Sequence, residues 1–454
     1  MNIYGLQSIC VIIIYLFIQL PPVNAQNFAH QLTSNLFRME ISSSLNPVGS
    51  GARAMGMGGA FIAVADDATA ASWNPGGLIQ LDAPETSFVI NYTNRKEGND
   101  FLLHKESNNR SFVDDFVLNY FSIAYPFNMN SYEMVVSLNL QRLYDFNRDW
   151  QFIFDHNTPG FTSPVQYNYH QTGNIYALGL AYSIHIPPDF SFGLTLNYNG
   201  KLAFQNKNWE QQYKQSGSIS LNGISGVFQN TKNEEYSLKG LNLNLGFLWH
   251  ITESWTLGGV LKTPYKADID HQVQTSLKIT YSDSPTNNIH QRSIQEYDEK
   301  LRMPLSYGLG VAYAFSDKFT FSFDIYRTHW NNFEFEHENG LRTSPITGKN
   351  INSTTIRPTT WFRMGGEYEF YRKNMVIPVR AGIFYDPSPD KNAPDDFYGF
   401  SLGGGLALES GIVFDLAYQF RTGNNVEGAM LENHDFSQDV REHKVYGSVI
   451  YYLR

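Results

Sequence analysis

The feature that most constrains this chain is a strict period of two. Between Ile175 and Ile186, Tyr176, Leu178, Leu180, Tyr182 and Ile184 fall on one face of an extended strand, and Ala177, Gly179, Ala181 and Ser183 fall on the other. Phe190, Phe192, Leu194, Leu196 and Tyr198 oppose Ser191, Gly193, Thr195 and Asn197 in the same way. So do Leu241, Leu243, Leu245, Phe247 and Trp249 against Asn242, Asn244 and Gly246, and Phe319, Phe321, Phe323 and Ile325 against Thr320, Ser322 and Asp324. A strand that is apolar on one side only needs two different environments. Fourteen such segments are predicted, near 86–94, 117–126, 132–144, 174–186, 190–203, 237–250, 254–265, 301–315, 319–331, 359–371, 376–386, 397–408, 411–421 and 443–453. The number is even, and many have the ~9 to 11 residues that a tilted strand needs to cross a bilayer.

Two all-β classes would accept this pattern, a soluble sandwich and a membrane barrel, and the connections separate them. Short turns at Pro187-Pro188-Asp189, Thr252-Glu253, Ser316-Asp317-Lys318 and Ser410-Gly411 alternate with long polar stretches at 95–116, 145–173, 204–236, 266–300, 332–358 and 422–442; only 387–396 is shorter. A sandwich has no reason to collect its long loops at one end, whereas an outer-membrane barrel has short periplasmic turns and long extracellular loops. Aromatic residues make up 15% of the chain, and Trp150, Trp249, Trp255, Trp330 and Trp361 at strand ends are expected to contribute to interfacial girdles. The reading is therefore all-β: a 14-stranded antiparallel transmembrane β-barrel over 86–454, multi-pass in the cell outer membrane, with outer-membrane lipids and the barrel assembly machinery as partners.

The start of the chain follows other rules. Residues 11–20, VIIIYLFIQL, form an apolar run too short to span, followed by the small-x-small box Val23-Asn24-Ala25, so residues 1–25 read as a signal peptide although no Lys or Arg precedes the run. The single cysteine, Cys10, lies inside it, leaving no disulfide or thiolate site afterwards. A formal charge of −10 argues against a nucleic-acid partner. Residues 26–85 lack alternation. Ala29–Ile41 has helical spacing of Leu32, Leu36, Phe37 and Met39, and in GSGARAMGMGGAFIAVADDATAASWNPGGL at 49–78 half of the residues are Gly or Ala. Small residues let backbone approach a wall closely, and the small inward faces at Ala177, Gly179, Ala181 and at Gly308, Gly310, Ala312, Ala314 leave room. A luminal hatch containing short helices is expected.

The stretch ARAMGMGGAFIAVADDATAASWNPGGL at 52–78 resembles the N-terminal hatch of the outer-membrane long-chain fatty acid transporters, a family that includes aromatic-hydrocarbon transporters. The matching residues are Gly58, Gly59, Ala60, Ala65, Asp66, Asp67, Ala68, Trp73, Asn74 and Pro75, with Gly76 where the family usually has Ala. The resemblance implies a fourteen-stranded barrel closed by its hatch. A hydrophobic small molecule would be captured outside, held in a pocket within the barrel and released sideways into the membrane. In the family that opening goes with a kink in the third strand, and the third strand here, YEMVVSLNLQRLY at 132–144, carries no Gly or Pro. The alternative function, suggested by a shared start of this kind, is an outer-membrane component of protein secretion or surface attachment.

Other motifs carry less. GMGG at 56–59 is not the G-x-G-x-x-G of a βαβ unit, and no cofactor is implied. Asp66-Asp67 lacks the ligand spacing of a calcium loop and reads as a cap or turn, so no metal is assigned. Asn74-Pro75-Gly76-Gly77 is turn-forming, and Gly58, Gly59, Asp66, Asp67, Trp73, Asn74, Pro75 and Gly76 are the candidate hatch and gate residues. Arg363, Glu367, Arg380 and Asp415 fall on the luminal side, as holders of the hatch or, for either arginine, contacts to a ligand carboxylate. No Ser-His-acid set converges, so no enzyme is expected.

Overall fold

The structure, a computed structural model, describes residues 49–155, 161–221, 224–282, 288–428, 431 and 435–453. The signal peptide at 1–25 and the helix expected at 29–41 lie outside the described residues.

The first strands in chain order are β1 (Glu85–Phe101), β2 (Asn109–Met129), β3 (Tyr132–Asp145), β4 (Arg148–Phe154), β5 (Phe161–Ile186), β6 (Phe190–Gly200) and β7 (Trp209–Leu221). Next come β8 (Ile224–His250), β9 (Trp255–Lys262), β10 (Tyr265–Tyr281), β11 (Ile289–Met303), β12 (Ser306–Ser316) and β13 (Phe319–Thr328). The remainder are β14 (Glu334–Glu336), β15 (Arg342–Thr343), β16 (Thr359–Arg372), β17 (Met375–Tyr385), β18 (Tyr398–Leu408), β19 (Ile412–Val426) and β20 (Phe436–Tyr452). Fourteen form a closed antiparallel wall in the order β1, β2, β3, β5, β6, β8, β9, β12, β13, β16, β17, β18, β19, β20. Closure is made by β20 against β1, from Glu85 opposite Tyr452 to Phe101 opposite Phe436, which leaves the wall without an edge. These fourteen are the segments that alternation marks.

The faces divide as the period of two requires. Leu138, Leu180, Leu196 and Leu243 lie side by side across four strands and are 38–53% exposed on the outside, whereas Ser137, Ala181, Thr195 and Asn244 next to them are buried inside.

The long polar stretches correct the expectation of loops, because most of them are strand. The upper parts of β1, β2, β5, β8, β19 and β20 run on past the membrane, and β4, β7, β10, β11, β14 and β15 join them as a sheet above the rim. Its inner side holds an aromatic cluster that includes Phe101, Trp150, Phe152, Phe154, Tyr167 and Phe436. One boundary between wall and extension is chemical. The registers on either side place Pro264 opposite Pro304, and since neither proline has an N–H to donate, β9 and β12 stop there while β10 and β11 begin anew.

The tryptophans also need correction. Trp249 and Trp255 are 45% and 46% exposed at the periplasmic end and fit a girdle, but Trp150, Trp330 and Trp361 are 1–2% exposed and belong to the interior. No helix among the described residues is long and apolar enough to cross a membrane.

Candidate functional site

Residues 49–84 sit inside the periplasmic half of the barrel. They form two short helices, α1 (Ala52–Gly56) and α2 (Ala70–Trp73), and a 3₁₀ turn at Pro75–Gln80. Helices of one turn are marginal by themselves; here the wall holds them. Met57, Phe61, Ile62, Ala65, Ala68 and Trp73 are fully buried, in a core shared with inward side chains of the wall.

Asn74 joins two parts of this segment to the wall. Its Nδ2 donates to the carbonyls of Ile62 and of Phe247 on β8, both at 2.8 Å, and its Oδ1 accepts from the Gly76 N–H at 3.1 Å, capping the 3₁₀ turn with Pro75 at the first position. The Gly76 carbonyl accepts from Ser191 at 2.8 Å and Ser183 at 3.3 Å. Trp73 donates from its indole to the Ser50 carbonyl at 2.7 Å and meets Phe61 edge-on at 5.9 Å. On the opposite side, Gly58 N–H donates to Ser401 Oγ at 2.8 Å, and Phe61 and Ile62 N–H share Asp324 Oδ2 at 2.7 and 2.9 Å. Asp67 makes a local turn, accepting from the Thr69 N–H at 2.8 Å and the Thr69 hydroxyl at 2.5 Å.

Close approach explains the glycines at both sides of this contact. Gly58 and Gly59 have φ of +69° and +76°, and a Cβ on Gly59 would run into the Arg363 guanidinium. Wall glycines answer them: a Cβ on Gly193 or Gly246 would enter Pro75, on Gly310 Ile62, on Gly365 or Gly382 Met57 and Gly58, and on Gly403 Gly56.

Of the four predicted luminal charges, three come together. Arg53 forks between Asp66, at 2.5 and 3.1 Å, and Glu367, at 2.7 and 3.1 Å. Glu367 also holds Arg380, which reaches Asp415 at 2.6 Å. The result is a chain of two cations and three anions, half-buried at Arg53 and Asp66 and buried at Glu367, Arg380 and Asp415, that ties α1 to β16, β17 and β19, so Arg53 is the member that motif reading missed. Arg363 stands apart, 3.6 Å from Asp386 and against the rings of Trp361 and Phe384. Other missed members are Asp324, Ser401, Ser183, Ser191 and Thr195, whose hydroxyl donates to the Ala71 carbonyl at 3.0 Å; the signal was available, since each is a polar residue on an inward strand position. Among the described residues no cluster of His, Cys, Asp or Glu could hold a metal ion.

Just above the hatch lies a small cavity of about 50 Å³ between β3, β6, β8, β9 and β12. Asn197, Asn199, Asn242, Asn244, Gln141 and Lys262 line one side, Leu143, Tyr144, Tyr265, Met303 and Pro304 the other; no carboxylate lines it. Three buried donors at its surface, Gln141 Nε2, Tyr265 Oη and Thr328 Oγ1, have no hydrogen-bond partner among the described residues. Beside it the β2–β3 ladder ends at Tyr120 opposite Gln141, while β3 continues against β5 through a bulge at Leu143. A kink in the third strand thus needs no Gly or Pro. Arg142 bridges the parted strands to Asp115 at 2.5 Å.

Solved structures of the same architecture exist. A Pseudomonas aeruginosa FadL homologue aligns over 90% of this chain and 99% of its own at 16% identity, with a TM-score of 0.57. The P. putida toluene transporter TodX aligns over 90% and 100% at 13% identity and 0.59, and the Ralstonia pickettii toluene transporter TbuX over 90% and 99% at 14% identity and 0.51. At such identities they establish the fold. Among curated protein sequences none matches this one. The family model described as outer membrane protein transport protein (OMPP1/FadL/TodX) matches residues 42–445, nearly the whole chain, and this protein belongs to that family.

Proposed function

We propose that this protein carries hydrophobic small molecules across the outer membrane, amphiphiles with a carboxylate head, such as long-chain fatty acids, ahead of bare aromatic hydrocarbons. The observation that carries the reading is the pairing of a hatch packed into the periplasmic half with an aromatic interior at the outer mouth. A water-filled pore would have neither. A greasy molecule gains about 0.8 kcal/mol per methylene on entering lipid, so release through the wall is favoured over a blocked axial path, and the bulged top of β3, paired there with β5 but no longer with β2, supports that exit.

In this scheme Gly58, Gly59, Asp66, Asp67, Trp73, Asn74, Pro75 and Gly76 form the hatch and its gate, and Glu367, Arg380 and Asp415 anchor it through Arg53. The unpartnered Gln141, Tyr265 and Thr328 donors of the cavity favour a head group rich in acceptors. The test is uptake of labelled oleate and toluene by a host lacking its own transporters. Saturable oleate uptake is expected, lowered severalfold by Gln141→Leu with Thr328→Val while toluene uptake changes less. If the protein accelerates neither compound above an empty-vector control, the reading fails.

A further inference from the structure

The outer wall carries a cationic patch that the transport reading does not use. On β1, Phe88 and Tyr92 face outward and are 45% and 42% exposed, and four residues above Tyr92 the same face presents Lys96. The register places Lys96 directly opposite Arg441 of β20, and Arg110 of β2 opposite Gly98, on the diagonal to Lys96. Three cations from three adjacent strands thus flank Gly98 in a groove along the outer face, which Asp439, directly opposite Gly98 on β20, and Asp100 also line. None of the three is in an ion pair among the described residues. Like charges directly opposite on a sheet destabilise it, and here a third cation is added.

The acids in and beside the groove hold neutral donors rather than these cations: Asp439 accepts from the Asn425 N–H at 3.0 Å, Asp114 from Tyr92 and Asn94 at 2.8 and 2.7 Å, and Asp100 from Asn108, which leaves three cations against the two carboxylates of the groove. Two other cations of the extracellular sheet do have partners, Lys239 with Asp270 and Lys266 with Glu336.

Height identifies what the patch meets. At ~3.3 Å per residue and a tilt of ~40°, Lys96 stands roughly 28 Å above Glu85, just beyond an apolar band of about 25 Å. The apolar residues below it on the same face contact acyl chains, and Phe112 lies beside it, its ring 5.8 Å from the ammonium. We infer that Lys96, Arg110 and Arg441 bind the phosphate of a phosphorylated glycolipid in the outer leaflet, the acyl chains lying against Phe88 and Tyr92.

The experiment measures binding of bisphosphorylated lipid A, its dephosphorylated form and inorganic phosphate to the detergent-purified full chain. Binding of lipid A should weaken roughly 10- to 30-fold in Lys96→Gln with Arg441→Gln, taking about a kilocalorie per basic residue, and severalfold in Arg110→Gln, each variant retaining the heat-modifiable gel mobility of a closed barrel. The dephosphorylated lipid should bind the native chain as weakly as lipid A binds the double variant. Equal binding of both lipids, unchanged binding in the variants, or displacement of lipid A by millimolar inorganic phosphate would overturn the assignment. Should the double variant not assemble, Arg110→Gln alone decides by the same comparison.

Discussion

Asn74 offers the sharpest test of how the hatch is held. In Asn74→Ala the Ile62 and Phe247 carbonyls and the Gly76 N–H lose their partners together, in a place with no exposure to solvent. An unsatisfied buried polar group costs about 1–3 kcal/mol, and some of that is recovered as water or the backbone adjusts, so a local loss of roughly 3 kcal/mol is expected. None of these bonds belongs to the wall ladder. The loss therefore falls on the equilibrium between seated and displaced hatch, and 3 kcal/mol raises the displaced population by about 150-fold at ~1.4 kcal/mol per decade. Single-channel recording in planar bilayers should show rare openings of the native barrel becoming frequent, while gel mobility of the folded wall stays unchanged. Asn74→Asp separates geometry from chemistry: the side chain keeps its shape and its cap to Gly76, but turns an acceptor toward two carbonyl oxygens and buries a charge. It should open the pore more than alanine does. Asp82→Ala, on an exposed residue of the same segment, is the control. Silent recordings from both Asn74 variants would refute the assignment of this residue as the latch.

Leu180→Arg places a charge near mid-membrane in the outward row of Leu138, Leu196 and Leu243 and should lower the urea-unfolding stability of the refolded barrel by roughly 2–4 kcal/mol; Ala181→Ser, beside Ser137 and Thr195 on the inner face, should change it by less than about 1 kcal/mol. In the extracellular sheet His271 lies between Glu299 at 2.7 Å and Glu234 at 3.2 Å, stacked on Tyr236 at 4.2 Å. Burial opposes its charge, but the bonds to Glu234 and Glu299 outweigh burial and raise its pKa above the ordinary value. A raised pKa means the stabilisation is complete below the unfolded value of ~6.5 and lost as pH climbs through the raised one. Amide exchange of β10 and β11, corrected for intrinsic rate, should therefore quicken as pH rises above about 6.5, and His271→Gln should abolish that dependence.

The wall was legible because lipid imposes a rule that admits few exceptions: every backbone group must be paired, and every outward side chain apolar. The hatch was legible for a related reason, since Gly58, Gly59, Asn74 and Pro75 have few uses except close packing and turning. What motif reading lacked was the partner surface. Asp324, Ser401 and Ser191 look like the ordinary polar half of an alternating strand until the backbone they cap is in place, and Arg53 looks like a charge in a small-residue run until Glu367 meets it. Wall glycines such as Gly193, Gly246, Gly310 and Gly382 carry the same information as Gly58 and Gly59, written from the other side of one interface.

The stretches read as loops hold a subtler signal, a change of phase. In β5 the outward apolar residues of the wall are Leu178 and Leu180, at even numbers, whereas above Gly173 the apolar residues are Val165, Tyr167 and Tyr169, at odd numbers, and these face inward. In β1 the outward Phe88 and Tyr92 give way to the inward Phe101, and in β20 the outward Val449 and Tyr451 to the inward Val440 and Phe436. Parity is conserved along each strand while the apolar face switches, because the medium outside changes from lipid to water. The alternation never stops at the membrane surface; it inverts. Trp150, Phe152 and Phe154, each separated by one polar or exposed residue, show it within a stretch that composition alone marks as polar. The inversion point is therefore a sequence-readable marker of the bilayer boundary, and in β1 and β20 it brackets Lys96 and Arg441, the residues placed here against the lipid head groups.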